Sequence, residues 1–390
     1  MSRILAILAV VLVIGASDVS AATVSTWSMF GHDAHDSSFN ANESTLGSGN
    51  VRLLHVAWSV GRVSSAIATD QRVYIIQPVP LSPSKVAVLN AADGKTLLTY
   101  TPAMLRLQRG ANDSPMALAH PDDTLVVANL REVVALNPHT GALRWYSAGG
   151  ATSLVANWPA LYTGKGCQNP CGIPASYALD VQTGRKIWSH AGNFGQTPAA
   201  LNGLLYQTVG QQSGTTHVYN QSSGRLVGTL QINARWLGDS HRAYAFVLVG
   251  RQPGSATPGR SWIGEIAPNG VAVWKADLGR IVAGNPVLAY NTLFLPSNRH
   301  HPGVIALNAT NGRYLWGADV GPSSSMVVAN HLLYVLNDAL GRVDIIRASN
   351  GVVLRSIKVP GFNNRGATGV MVAGGTLYVL GGNGLVAYKA

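Results

Sequence analysis

The chain is poor in charge, in acid and in cysteine. Of its 390 residues 12% are charged, and 28 Lys and Arg stand against 17 Asp and Glu. Only three of the acids are Glu: Glu43, Glu132 and Glu265. Two cysteines exclude a disulfide-dense scaffold and a four-cysteine zinc site. No CxxCH haem attachment, GxSxG elbow, phosphate-cradling glycine loop, zinc motif or EF-hand spacing occurs. The longest apolar run is "ILAILAVVLVI", Ile4 to Ile14, which is too short to span a bilayer comfortably. Basic clusters and aromatic-basic ladders are missing, which argues against a nucleic-acid partner despite the net charge of +11.

What is present begins with a targeting signal. Arg3 precedes the apolar run, and "VSA" at Val19 to Ala21 supplies small residues for cleavage. Residues 1–21 therefore read as a signal peptide, 22–52 as an N-terminal strap and 53–390 as the folded domain. No Cys follows the signal to carry a lipid, so the expected location is the periplasm or the exterior, without a membrane span. In an exported protein the pair Cys167 and Cys171, in "GKGCQNPCGIP", is expected to form a disulfide. The positive charge suits an anionic small molecule, an anionic surface or solubility.

Glycine is abundant, at 43 residues, and it is periodic. Gly94, Gly141, Gly184, Gly224, Gly270, Gly312 and Gly351 are separated by 47, 43, 40, 46, 42 and 39 residues. An apolar strand precedes each, and Asn90, Asn137, Asp180, Asn220 or Asn308 opens the turn in five of the copies. An Asn or Asp side chain can bind the turn's N–H groups, and Gly takes the positive φ of a tight hairpin. Trp145, Trp188, Trp274 and Trp316 each follow their Gly by four residues, as in "VIALNATNGRYLWGADVG" (Val304 to Gly321). These Trp are expected to pack one sheet on the next. A second pair of apolar runs lies upstream of each hairpin, so each unit holds four antiparallel strands, the pattern of a β-propeller blade. The chain ends on "GLVAYKA" without an outer partner, and "LHVAWSVG" (Leu54 to Gly61) supplies one with Trp58 in the Trp position. The expectation is an all-β, eight-bladed propeller closed by its N-terminal strand.

The repeat, and the leader from Trp27 to Val60, resemble the pyrroloquinoline-quinone (PQQ) propeller superfamily. That resemblance covers almost the whole mature chain and implies the fold. It leaves function open among quinoprotein dehydrogenases, BamB-like assembly proteins that bind partners, and hydrolases such as tetrathionate hydrolase. The dehydrogenases hold Ca²⁺ through Glu, Asn and Asp and use an Asp base. They place two adjacent cysteines against the quinone, whereas here three residues separate the pair. None of their ligands maps residue by residue onto this chain.

Ligands of propellers gather at the channel mouth, on the face made by the blade-to-blade links. The residues opening the innermost strands there are Asn112, Asp113, Arg235, Trp236, Asn285 and Arg365, the candidate ligand-binding set. Asp113 is the candidate catalytic carboxylate, the two Arg suit an anion, and the indole suits a planar ring. The same face is expected to carry Arg62, Arg106, Arg109, Lys165, Arg251, Arg260, Arg299, Arg342 and several His. "RHHPG" (Arg299 to Gly303) lacks a third metal ligand, and "FGHDAHD" (Phe30 to Asp36) reads as a strap on the propeller's surface, so no metal site is assigned. The reading that results is an exported, non-catalytic binding or scaffold propeller for a protein partner or anionic small molecule. The alternative is a PQQ- and Ca²⁺-dependent dehydrogenase or a cofactor-free hydrolase.

Overall fold

The computed structural model describes residues 25–78, 84–100, 115–121, 123–129, 131–165, 175–192, 194, 196–210, 214–249, 260–280, 284–297, 303–321, 323, 325–337, 339–361, 367–381 and 384–390. They form eight sheets of four antiparallel strands each, one of which gains a short parallel fifth strand, Phe39–Asn40, with one short 3₁₀ turn at Val51–Leu53. The innermost strands of blades 1 to 8 are Ser65–Ala68, Met116–Ala119, Ser153–Asn157, Ala199–Leu201, Ala234–Gly238, Val287–Ala289, Ser325–Ala329 and Ala367–Ala373. In blade 8 the outermost strand is His55–Gly61, paired with Gly384–Lys389 in the register Trp58 to Ala387 and Val60 to Leu385. The two ends of the chain thus share one sheet, as the repeat count requires.

Each blade is sandwiched between two others, so its middle strands are buried on both faces. This explains runs such as "TLVVA" (Thr124–Ala128) and "EVVAL" (Glu132–Leu136), which are apolar throughout rather than alternating. Outer strands such as Lys186–Ala191 bury the Trp and leave most of their other side chains in solvent. The hairpin turns follow their expected chemistry. Asn137 Oδ1 accepts from the His139 and Thr140 amides at 2.8 and 3.1 Å, and the Gly141 amide donates to the Asn137 carbonyl at 2.8 Å.

The turn glycine has a second duty that the periodicity does not reveal. Gly312 has φ +69°, and a Cβ there would sit 2.5 Å from the Trp274 ring of the preceding blade. The same approach recurs between Gly94 and Trp58, Gly184 and Trp145, Gly224 and Trp188, and Gly351 and Trp316. Each of these indoles also donates Nε1–H to a carbonyl in that neighbouring turn: Ala91, Val181, Gln221, Ala309 and Ala348. The Trp and the Gly are therefore one joint, shared by adjacent blades. Tyr100 on Gly141 and Leu230 on Gly270 fill the joint where Trp is missing.

Ring closure has its own clasp. Arg355, on the outer strand of blade 7, donates to the carbonyls of Val51 and Leu54 at 3.1 and 2.7 Å, and also to that of Arg52. These carbonyls stand at the end of the 3₁₀ turn, where helical hydrogen bonding runs out and the Leu54 amide reaches the Val51 carbonyl at 3.4 Å. The clasp fixes the entry of the closing strand.

Candidate functional site

The innermost strand of every blade presents one backbone edge to the channel, and such an edge needs a partner. The strap supplies it. Trp27 and Ala68 of blade 1 exchange N–H···O bonds at 2.6 and 3.0 Å. The amides of Leu118, Ala200, Gly238, Leu288 and Val328 then donate to the carbonyls of Ser28, Ala34, His35, Ser37 and Ser38 at 2.7–3.1 Å. Phe39–Asn40 runs parallel to the innermost strand of blade 7. Asn40 Nδ2 then reaches the Val372 carbonyl of blade 8 at 2.8 Å. The strap thus touches the inner strands of blades 1, 2, 4, 5, 6, 7 and 8 in chain order. Its contacts fall mostly toward the C-terminal ends of those strands, the end where the hairpin turns lie. The expected surface strap is corrected: "FGHDAHD" lies within the ring, because the unpaired inner edges bind its carbonyls.

Two carboxylates hold it. Glu43 accepts from the Thr45, Leu46 and Gly375 amides at 2.7, 3.1 and 3.0 Å and from Ser25 Oγ at 2.9 Å. Asp36 is 2% exposed and receives Arg235, whose Nε donates to Oδ2 at 2.8 Å and Nη2 to Oδ1 at 2.9 Å. Burial pushes the Asp36 carboxyl above its usual range, and Arg235 opposes that rise. Arg235 Nη1 also donates to Asn285 Oδ1, and its guanidinium lies 5.1 Å from the Phe30 ring centre. Gly31 makes this packing possible: at φ +74° its Cα passes so close that a Cβ would overlap Asp36 Oδ1.

Beside this group lies a cavity of about 340 Å³. Strap residues Trp27, Phe30 and Ser38 line it together with Met116, Ser153, Thr197, Asn285, Met326 and Met371 from six blades. No carboxylate lines it among the described residues. Ser153 is 6% exposed, and its hydroxyl has no protein partner.

Of the expected ligand set, the structure brings Arg235 and Asn285 together. It separates Trp236, which is 1% exposed and packs into the blade 4 interface. There its Nε1 donates to Thr216 Oγ1 at 2.9 Å, and its ring lies 4.5 Å from that of Tyr206. Neighbouring strand residues face opposite sides, so Arg235 and Trp236 cannot serve one ligand. Asn112, Asp113, Arg365, Cys167 and Cys171 lie outside the described residues. Of the expected basic residues, Arg260 pairs with Asp277 at 3.4 Å and Arg342 with Asp344 at 2.9 Å. The joining of Asp36 to Arg235 is absent from the sequence reading. Its only trace there is the crowding of a Gly and two Asp within "FGHDAHD".

These features define an eight-bladed β-propeller with a strap threaded along its inner strands. Residues 261–390 match the family model described as outer membrane protein assembly factor BamB. Among solved structures, a quinohemoprotein alcohol dehydrogenase from Comamonas testosteroni superposes with TM-score 0.66 at 12% identity, covering 94% of this chain and 80% of that one. BamB from Moraxella catarrhalis superposes with TM-score 0.60 at 16% identity, covering 86% of this chain and 98% of its own. The computationally designed Ika8 protein gives 0.63 at 11% identity over 86% of this chain and 98% of that one. Likeness at this identity concerns the fold. No curated protein matches the chain. Among the described residues no helix is long and apolar enough to cross a membrane.

Proposed function

We propose that this is an exported, non-catalytic propeller of the periplasm or the exterior, a scaffold that binds a protein partner. One observation carries the reading: among the described residues of the expected channel set, the guanidinium, that of Arg235, is already committed to Asp36 of its own strap. A quinone held by Ca²⁺ needs a carboxylate-rich donor set and a free cation. The described cavity wall offers hydroxyls, thioethers and aromatic rings instead. Among the described residues no three His, Cys, Asp or Glu side chains gather for a metal. That donor set does not fit a calcium-held quinone. The assembly-factor family model over residues 261–390 favours a partner-binding role.

The test is reconstitution of the full chain with PQQ and Ca²⁺, followed by desalting. The expected result is no retained quinone absorption band and no dye reduction with alcohols or sugars. A band that survives desalting together with dye reduction would overturn the scaffold reading in favour of a dehydrogenase. Incubation with tetrathionate is expected to leave it unconsumed, and its hydrolysis would establish an enzyme of the other class.

A further inference from the structure

A different place on the mouth face holds a buried charge that meets no carboxylate among the described residues. Lys165 follows the second strand of blade 3, Ala160–Gly164, and is 5% exposed. Its backbone is fixed, the amide donating to the Ala175 carbonyl at 3.0 Å and the carbonyl accepting from the Phe194 amide at 3.4 Å. Its Nζ donates to the Gly149 carbonyl at 2.9 Å, which leaves two of its three N–H bonds to place. Among the described residues it forms no ion pair. Burial alone pushes its ammonium down from the usual lysine value, with no neighbouring carboxylate acting against that fall.

Lys165 faces an open pocket of about 370 Å³, with Lys186, Tyr177 and Ser189 also in its lining. Lys186 Nζ sits 5.4 Å from the Tyr177 ring centre and likewise has no carboxylate among the described residues. Tyr177 does not supply the missing negative charge. Burial pushes its phenol up to about 12, and its hydroxyl donates to the Gly150 carbonyl. The remaining titratable groups nearby are engaged elsewhere. His190 Nε2 meets the Gly224 carbonyl at 2.7 Å, and Glu132 Oε1 accepts from Asn129 at 3.2 Å. Charges taken from water are stabilised by a partner, and among the described residues no carboxylate serves as one for either ammonium.

We propose that this pocket is an oxyanion site, in which a phosphoryl or carboxylate group sits between the Lys165 and Lys186 ammonium groups with the Ser189 hydroxyl as a further donor. It is independent of the scaffold reading, since the site lies outside the central cavity and quinone retention does not bear on it. The oxyanion comes either free or on a partner's acidic side chain, and inorganic phosphate and succinate stand for the two sources.

The experiment is calorimetric titration of the full chain with each anion, at ionic strength held constant with chloride. Wild type should bind at least one of them saturably. Phosphate binding without succinate binding points to a free phosphoryl anion, and the reverse points to a carboxylate. Lys186→Met should weaken binding by about tenfold or more, the usual effect of losing a charged hydrogen-bonding group. Lys165→Met should abolish it while melting no lower than wild type in chloride, because a buried cation that meets no carboxylate among the described residues has been removed. If Lys165→Met fails to fold, Lys186→Met, at an exposed position, carries the test. Failure of wild type to bind either anion, or a Lys186→Met titration identical to wild type, would overturn the proposal.

Discussion

The strap side of the channel and the mouth face are built differently. Along the strap, inner-strand amides meet carbonyls and the buried carboxylates Glu43 and Asp36 have partners, although His32 Nδ1 is buried without a hydrogen bond among the described residues. On the mouth face, among the described residues, Ser153 Oγ is buried without a protein partner, and Lys165 Nζ meets the Gly149 carbonyl but no carboxylate. Satisfied polar groups specify and rigidify a structure, whereas unsatisfied ones invite a ligand or water. The contrast teaches that this propeller uses its leader to secure the ring, while the buried ammonium of the other face meets no carboxylate among the described residues.

The contrast breaks most severely at Arg235. Arg235→Met leaves Asp36 buried without its cation and should cost about 3–5 kcal/mol in chemical denaturation. Gly31→Ala attacks the same place through backbone strain and overlap with Asp36, and should cost about 2–3 kcal/mol or more. Arg355→Ala removes the closing clasp and leaves carbonyls to water, so a loss of about 1–2 kcal/mol is expected. At the mouth, Ser153→Ala removes a hydroxyl that has no partner and should leave the melting temperature unchanged or raised. The comparison is sharpened by Ser176→Ala, where the hydroxyl meets Gln207 Oε1 at 2.6 Å and the Thr163 carbonyl at 2.8 Å, and about 1 kcal/mol should be lost.

The smallest effect concerns the one turn opened by Asp among those read from the repeat. Hydrogen bonding from Thr183, its hydroxyl first, holds the Asp180 carboxyl below its ordinary 3.8 despite some burial. A carboxyl lowered by folding contributes stability above its unfolded value, and that contribution is lost as the pH falls through the folded one. Asp180→Asn, which copies the turn residue of other blades, should melt like wild type at pH 7. It should lack the part of wild type's acid sensitivity that appears below about pH 4.

The blades were legible because their rules are local and repeated. An Asn or Asp, a Gly and a Trp at fixed offsets report a turn, a positive φ and a packing position, and the split repeat at Trp58 and Leu385 gives the ring its number. The strap was not legible, since it binds chiefly through backbone carbonyls that leave no side-chain pattern. Its ion pair joins residues 199 positions apart. Trp236 was misplaced for a simpler reason: strand alternation sends it into the blade interface when Arg235 faces the strap. Lys165 is among the basic residues the sequence places on the mouth face, and only the packing around it reveals that it is buried.

The most direct test of the strap's role is a double-mutant cycle on Asp36 and Arg235, with unfolding free energies measured for wild type, Asp36→Asn, Arg235→Met and the double variant. If the pair secures the channel, the double variant should be more stable than the sum of the single losses predicts, with a coupling of about 2 kcal/mol or more. A coupling near zero, with two additive losses, would contradict the account.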